Sequence, residues 1–430
     1  MAAAIDADAV GELAHEVLDW RHKAVPASYQ GWTAERFGAG ELRLSDLQTP
    51  VLTLAADALE HNLGLMAQWC AAHGVGLAPH GKTTMAPALW QRQLAAGAWG
   101  ITLANAAQLR VGRRFGVQSL MLANCPTDPQ AIRWVAGEVA GGARIVCWVD
   151  SIAGVERLQG VLASAGAGPL EVMVEIGAHG GRTGARGAAD ALRVARAMAG
   201  ADRLRLVGVS GYEGALSHTW DEPGLAPVRD YLWDFRRLHE TLAAEHGYAP
   251  GPVLLSAGGS AYFDDVVDIL GPLASDDVEV VLRSGAYLIH DDGFYRGISP
   301  LSRRNPDAPA AFRSAMHCWA RVVSQTEPGL AILEGGKRDL SVDEGLPVPQ
   351  GIAAELGAEL RPLSGASITA VNDQHAFMSY PEHLSVQPGD VVRLGLSHPC
   401  TAVDKWTLIP VLDGIDEPDP AVVATVRTFF

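Results

Sequence analysis

A single lysine, Lys82, stands in the stretch "LAPHGKTTMAP" at residues 77–87, at the end of an apolar run that reads as a buried strand. Lysine is rarely buried without a partner or a task. Two glycine-bearing stretches, "SAGGSAY" and "RSGAYL", supply Gly258, Gly259 and Gly285. Glycine backbone lets N–H groups approach an anion closely, and Ser260 adds a hydroxyl donor. Arg182 lies in the glycine-rich "EIGAHGGRTG", and "GYEGALSH" carries Tyr212 and His218. "SHPCTAVDKW" sets His398 and Cys400 two apart. On a strand those side chains share a face, and imidazole with thiolate suits zinc. Each feature also has an ordinary reading. A strand-end lysine is often an ion-pair member, a GG pair is often a turn, and a histidine beside a structural cysteine is often packing.

Positioning these groups requires a scaffold, and the apolar runs describe one. "VGLAPH" from Val75, "WGITLAN" from Trp99, "QSLMLAN" from Gln118 and "RIVCWVD" from Arg144 are followed by "LEVMVEI" from Leu170. "LRLVGVSGYEG" from Leu204, "VLLSAGG" from Val253 and "VEVVLRSG" from Val278 complete a set of eight. Near-continuous Val/Ile/Leu runs are expected of parallel strands buried on both faces. Between them, "ADALRVARAMA" and "RDYLWDFRRLHETLAAEH" carry apolar residues at helical spacing. Eight βα units in roughly 220 residues predict a (β/α)8 TIM-like barrel, with a doubly wound open sheet as the competing fold. From residue 301 the texture changes to short strand-like runs separated by turns, which predicts a mainly antiparallel β domain. The expected domains are a helical arm over 1–44, the barrel over 45–300 and the β domain over 301–430.

In such a barrel the reacting groups lie at the C-terminal ends of the strands, and the loops after strands 7 and 8 often build a phosphate site. Lys82 follows the first run, Arg182 the fifth, Tyr212 and His218 the sixth, and the glycine loops the seventh and eighth. A phosphate cradle facing a lysine suits a cofactor with a phosphate and an aldehyde, pyridoxal phosphate.

Composition excludes other classes. The chain has 430 residues, 48% hydrophobic and 19% charged, as in folded globular proteins. A net charge of −16 argues against nucleic acid and anionic membranes as partners. No apolar run is long enough to span a bilayer. The first residues mix acids into a helical pattern, unlike a signal peptide. Five scattered cysteines suggest a reducing compartment, so a cytoplasmic location is expected.

The run "TPVLTLAADALEHNLGLMAQWCAAHGVGLAPHGKTTMAPALWQRQLAAGAWGITLANAAQ" resembles the start of the fold-type III pyridoxal phosphate enzymes. The nearest branch is the D-serine dehydratase and D-threonine aldolase family, with an N-terminal barrel similar to that of alanine racemase. The resemblance continues through "VEIGAHGGRTG", "VGVSGYEG", "SAGGSAY", "VLRSGAYLIHDD", "LSVDEG" and "NDQHAF" to "SHPCTAVDKW". It implies that Lys82 carries the cofactor as a Schiff base and that Arg182 faces the phenolic oxygen of the ring. Tyr212 would lie near the pyridine nitrogen, and Gly258, Gly259, Ser260, Gly285, Ala286 and Tyr287 would bind the phosphate. His398 and Cys400 would hold zinc or another divalent metal near the cofactor. His375 would stand behind the ligands, while His73, His290 and His317 are read as packing or surface groups. Thr84 departs from the family, which commonly has histidine two residues after the lysine. The resemblance also implies a homodimer.

Two reactions follow. In the first, the α-proton of a D-β-hydroxy amino acid such as D-serine or D-threonine goes to Lys82 and the β-hydroxyl leaves with metal assistance, giving a 2-oxo acid and ammonia. In the second, a base takes the β-hydroxyl proton and the carbon–carbon bond breaks, giving glycine and an aldehyde. Cys400 favours the first. His218 matches the position of an aldolase base and favours the second. A non-catalytic cofactor carrier is a third reading, weakened by the β domain, which such carriers lack.

Overall fold

The computed structural model describes residues 4–430 and divides the chain into two compact units. One is built chiefly from Met66–Lys82 and Trp90–Gly285. The other comprises Ala7–Leu65, Thr83–Leu89 and Ala286–Phe430. Strands are numbered along the chain, and β1 (Val51–Ala55) belongs to the second unit.

The first unit contains all eight expected runs as strands: β2 (Gly76–Leu77), β3 (Ile101–Leu103), β4 (Ser119–Leu122), β5 (Arg144–Val149), β6 (Leu170–Gly177), β8 (Leu204–Gly211), β9 (Val253–Ala257) and β10 (Val278–Leu282). A short β7 (Ala185–Arg186) adds to the edge of β6. The order is β2-β10-β9-β8-β6-β5-β4-β3, with every pair parallel. The two ends of that path meet. His80 bridges Thr102 in parallel, and the Trp99 N–H donates to the Leu77 carbonyl at 2.7 Å. The sheet therefore curls into a barrel, as the count of eight predicts, rather than an open doubly wound sheet. Its interior layer is apolar and drawn from strand after strand: Ala78, Met121, Val146, Trp148, Met173, Val207, Leu254 and Val281.

The crossover helices start where capping chemistry sets them. Asp128 accepts the Ala131 N–H ahead of Pro129–Ala140, and Ser151 accepts the Gly154 N–H ahead of Ile152–Ser164. The helix expected from Arg229 begins earlier and spans Glu222–Ala244. Asp221 caps it, and Pro223 occupies its first turn, where a missing N–H leaves no bond unmade.

The second unit is the mainly antiparallel sheet. Its strands are β1, β11 (Met316–Glu327), β12 (Leu330–Leu333), β13 (Val348–Ala353), β14 (Arg361–Pro362), β15 (Ser367–Val371), β16 (Ala376–Ser379), β17 (Val391–Gly395), β18 (Leu408–Leu412) and β19 (Val422–Arg427). Fully buried β1 lies between β11, antiparallel to it, and β18, parallel to it. This corrects the expected boundary. Residues 45–65 do not open the barrel, because β1 finds its ladder partners in the second sheet. The helical arm expected over 1–44 is also mostly not helix. Among its described residues it holds Ala7–Gly11, Ala34–Phe37 and short 3-10 turns, with Gly31 and Gly40 at positive φ interrupting longer runs. No described helix is long and apolar enough to cross a membrane.

Candidate active site

Side chains two residues past an interior position point to the same face of a strand, one layer higher. Above Ala78 stands His80, above Met173 Glu175, above Leu254 Ser256 and above Val281 Arg283. This layer is polar. Arg283 is buried and donates from Nη1 to Ser256 Oγ and from Nη2 to the Gly211 carbonyl, both at 2.6 Å. Its guanidinium also lies 5.4 Å from the Trp148 ring. Burial pulls the Arg283 pKa down, while the Glu213 and Glu175 carboxylates oppose that shift. Burial raises the pKa of Glu175, and a hydrogen bond from Thr183 Oγ1 at 2.8 Å acts the other way. Burial pushes the His80 imidazole well below its usual value, and the charges of Lys82, Arg283 and Arg182 push it the same way. The His80 ring is bonded to the Thr102 backbone, and its Nδ1 has no hydrogen-bond partner.

Above this floor the strand ends carry the expected residues. Lys82 is partly buried in a 3-10 turn, Gly81–Thr83. A Cβ on Gly81 would come within 2.7 Å of Ile101 and 2.9 Å of Trp90, so the turn that presents Lys82 needs glycine there. Arg182 and Tyr212 come together, with the guanidinium 5.5 Å from the phenol ring. The Tyr212 backbone is pinned by Tyr231, whose hydroxyl accepts the Tyr212 N–H at 3.0 Å and donates to the Ile176 carbonyl at 2.8 Å. His218 is exposed in the loop that follows.

The glycine loop departs from expectation in one respect. The N–H groups of Gly258 and Gly259 do point at an anion, but it is the chain's own buried Glu213 carboxylate, at 3.0 and 2.7 Å. On the carbonyl side Ser284 Oγ donates to Gly259 O at 2.9 Å. Gly258 has φ +87°, and a Cβ there would meet Leu282 at 2.5 Å. A Cβ on Gly259 would meet the Tyr212 ring at 2.8 Å. Two N–H groups expected at a phosphate are thus engaged by Glu213 in this structure. Sequence reading placed His80 at the first strand end without giving it a role, and it missed Glu175, Arg283 and Glu213. The signal for the first three was a polar residue two places beyond an apolar interior position.

In the second unit, Ala286 and Tyr287 are buried. The shared strand face expected for His398 and Cys400 is not observed. Pro399 between them starts a helical turn, Pro399–Val403, because its fixed φ suits a first helical position and removes a ladder donor. His398 caps this turn in the left-handed region, φ 56° and ψ 82°. Its N–H donates to Oδ2 of buried Asp291 at 2.9 Å, and Asp291 Oδ1 accepts from Gly293, Tyr295 and Arg296. His398 Nδ1 lies 2.5 Å from Asp343 Oδ2, and Thr401 Oγ1 donates to Asp343 Oδ1 at 2.6 Å. Burial alone would lower the His398 pKa, but a hydrogen bond and charge from Cys400, with the Asp343 carboxylate, raise it to about 9. Cys400 Sγ lies 3.3 Å from the hydroxyl of Thr83, the residue that follows Lys82 in the chain. His375 sits exposed on the turn between β15 and β16, where its carbonyl accepts the Asn372 N–H. His317 and His290 are buried, and His73 stacks on Trp69.

The chain is similar to known proteins. The family described as "Putative serine dehydratase domain" matches residues 315–412. The chain is 27% identical to a D-threonine aldolase of an Arthrobacter species, over 87% of this chain and 92% of that protein. It is also 27% identical to the D-threo-3-hydroxyaspartate dehydratase of a Delftia species, over 78% of this chain and 84% of that protein. The crystal structure of a D-threonine aldolase from Filomicrobium marinum superposes with a TM-score of 0.71 at 26% identity, covering 89% of this chain and 96% of that one. Solved structures of D-threo-3-hydroxyaspartate dehydratase include variants altered at a histidine and at a cysteine two positions beyond it, the cysteine variant being in a metal-free form.

Proposed function

Because the chain belongs to the D-serine dehydratase and D-threonine aldolase family of fold-type III pyridoxal phosphate enzymes, we propose that it eliminates water from a D-β-hydroxy amino acid such as D-serine or D-threonine, giving a 2-oxo acid and ammonia. The observation that carries this reading is the His398–Cys400 pair, whose thiol lies against the residue next to Lys82. It is the histidine–cysteine spacing altered in the two variants of D-threo-3-hydroxyaspartate dehydratase.

The residues present fit the cofactor. An amine stands at a strand end, a guanidinium and a phenol lie 5.5 Å apart, and the loop beside them is packed too closely for a side chain at Gly258 or Gly259. The orphaned Nδ1 of His80 adds a polar atom facing a group of cations. Lys82 would hold pyridoxal phosphate, with Arg182 and Tyr212 against its ring and Ser260, Gly285, Ala286 and Tyr287 at its phosphate. When bound, the cofactor withdraws electrons from the substrate's Cα. His398 and Cys400 fit zinc or another divalent ion, whose contribution would be a Lewis acid toward the β-oxygen.

The chain's own groups then divide the work. Lys82 would take the α-proton as general base. Arg182 supplies fixed positive charge beside Tyr212. Neutral His80 and buried Arg283, Glu175 and Glu213 make the floor polar. The second reading, retro-aldol cleavage, is favoured by His218 in the loop after β8 and by the aldolase relatives.

The deciding experiment measures products from D-serine and D-threonine before and after chelation, with zinc added back. The proposal expects ammonia and 2-oxo acid, lost on chelation while the cofactor's visible absorbance remains, and His398→Ala should behave like the chelated protein. Full activity in metal-free protein would refute the metal role. Glycine and acetaldehyde as the main products from D-threonine would assign the aldolase.

A further inference from the structure

We propose that Asp343 is the positioning residue of the His398–Cys400 pair: it fixes the His398 ring so that Nε2 faces a divalent ion and Nδ1 does not. The inference rests on the metal reading above and adds a residue from a distant part of the chain. Asp343 lies 55 residues from His398 and 58 from Thr401, yet one carboxylate oxygen meets each of them, at 2.5 and 2.6 Å. The two contacts strap the start of the Pro399–Val403 turn to one point. His398 needs such a strap. Its backbone is held in the left-handed region through Asp291, but that contact leaves the direction of the ring unset. A carboxylate on Nδ1 keeps the proton there, leaves the lone pair on Nε2 and makes that nitrogen a better donor.

The geometry also argues that Asp343 is not itself a ligand. Each of its oxygens already has a partner, one in the His398 ring and one in the Thr401 hydroxyl. A metal held by His398 and Cys400 would keep its other positions for water or substrate, as a reacting centre requires.

The test uses the full-length protein with Zn²⁺ and Co²⁺ as probes. Zn²⁺ affinity is read by chelator competition, and the Co²⁺ absorption bands report the ligand set. The variants are Asp343→Ala, Asp343→Asn, His398→Ala and Cys400→Ala. The Asp343 side chain is 45% exposed, so its removal leaves no buried cavity. Asp343→Ala should weaken Zn²⁺ binding roughly 10- to 100-fold, the range found when such outer partners are removed. The thiolate-to-cobalt band and the d–d bands should keep their wild-type positions at saturation. Asp343→Asn, which retains an acceptor oxygen, should recover part of the affinity, and His398→Ala should abolish specific binding. Wild-type affinity in Asp343→Ala, with His398→Ala defective, overturns the proposal alone. Shifted d–d bands in Asp343→Ala also overturn it, by making Asp343 a ligand. If His398→Ala and Cys400→Ala bind the ions as tightly as the wild type, the metal reading fails, and this proposal with it.

Discussion

Lys82 sits in the Gly81–Thr83 turn just past Ala78 and His80 in the chain, and those two residues set the layers that lead up to it. Ala78 seals the interior and neutral His80 provides a polar step. Lys82→Ala should therefore remove the visible absorbance of the bound cofactor while leaving the fold intact, as read by circular dichroism. An unchanged absorbance and an unchanged borohydride-reducible adduct would exclude Lys82 as the attachment point. Glu175 offers a pH test. Burial raises its pKa in the folded chain, so the native state holds that proton more tightly than the unfolded state. Stability should then fall as pH rises from the ordinary carboxylate range toward the raised native value, and level off above it. Glu175→Gln should flatten that slope in denaturation curves taken across the acid range. Lys82 stands out in the sequence because it interrupts an apolar run. Glu175, Arg283 and His80 interrupt their runs in the same way, yet each also reads as the polar end of a strand. Only the register between strands shows that they meet.

The Gly258–Gly259 loop behaves as one clamped element, held by Glu213 on its N–H side and by Ser284 on its carbonyl side. Glu213→Gln would set an amide NH₂ against one of the two backbone donors. A loss of about 1–3 kcal/mol is expected from such a mismatch, read by chemical denaturation. Gly259→Ala acts on the neighbouring wall. Its Cβ would stand 2.8 Å from the Tyr212 ring, and that ring must move. Cofactor affinity should drop roughly tenfold, equivalent to about 1.4 kcal/mol, and an unaltered Kd would show that the Tyr212 position does not matter to binding. The eight barrel strands could be read from the sequence because each is a Val/Ile/Leu run bounded by a polar or glycine-bearing turn. The strand face expected for His398 and Cys400 fails because two-residue spacing carries no sign of local geometry; Pro399 decides it. The partner of the glycine loop was hidden for another reason. Glu213 and Gly258 are bonded across 45 residues, and no local pattern encodes that pairing.

At the scale of the whole chain, the second unit is assembled from widely separated segments. Val51–Ala55 pairs with Met316–Glu327 and with Leu408–Leu412, whereas the barrel strands pair among residues 76–282. That division could not be read from composition, because "VLTLA" is as apolar as any barrel strand and its neighbours are not its partners. The arrangement has a consequence for the order in which the protein is made. A ribosome has delivered every strand of the parallel barrel by Leu282, but β1 emerged long before that and must wait for β11 and then β18. Until then it is an unpaired apolar strand, the kind of segment that chaperones bind and that aggregates when left waiting. Nascent chains stalled far enough past Leu282 for β10 to clear the exit tunnel should resist protease over β2–β10 and be cut near Val51. The released full-length chain should be protected at both places. The pair that would hold the metal is translated only after β17, so the ion would enter late, after the barrel strands have all been delivered.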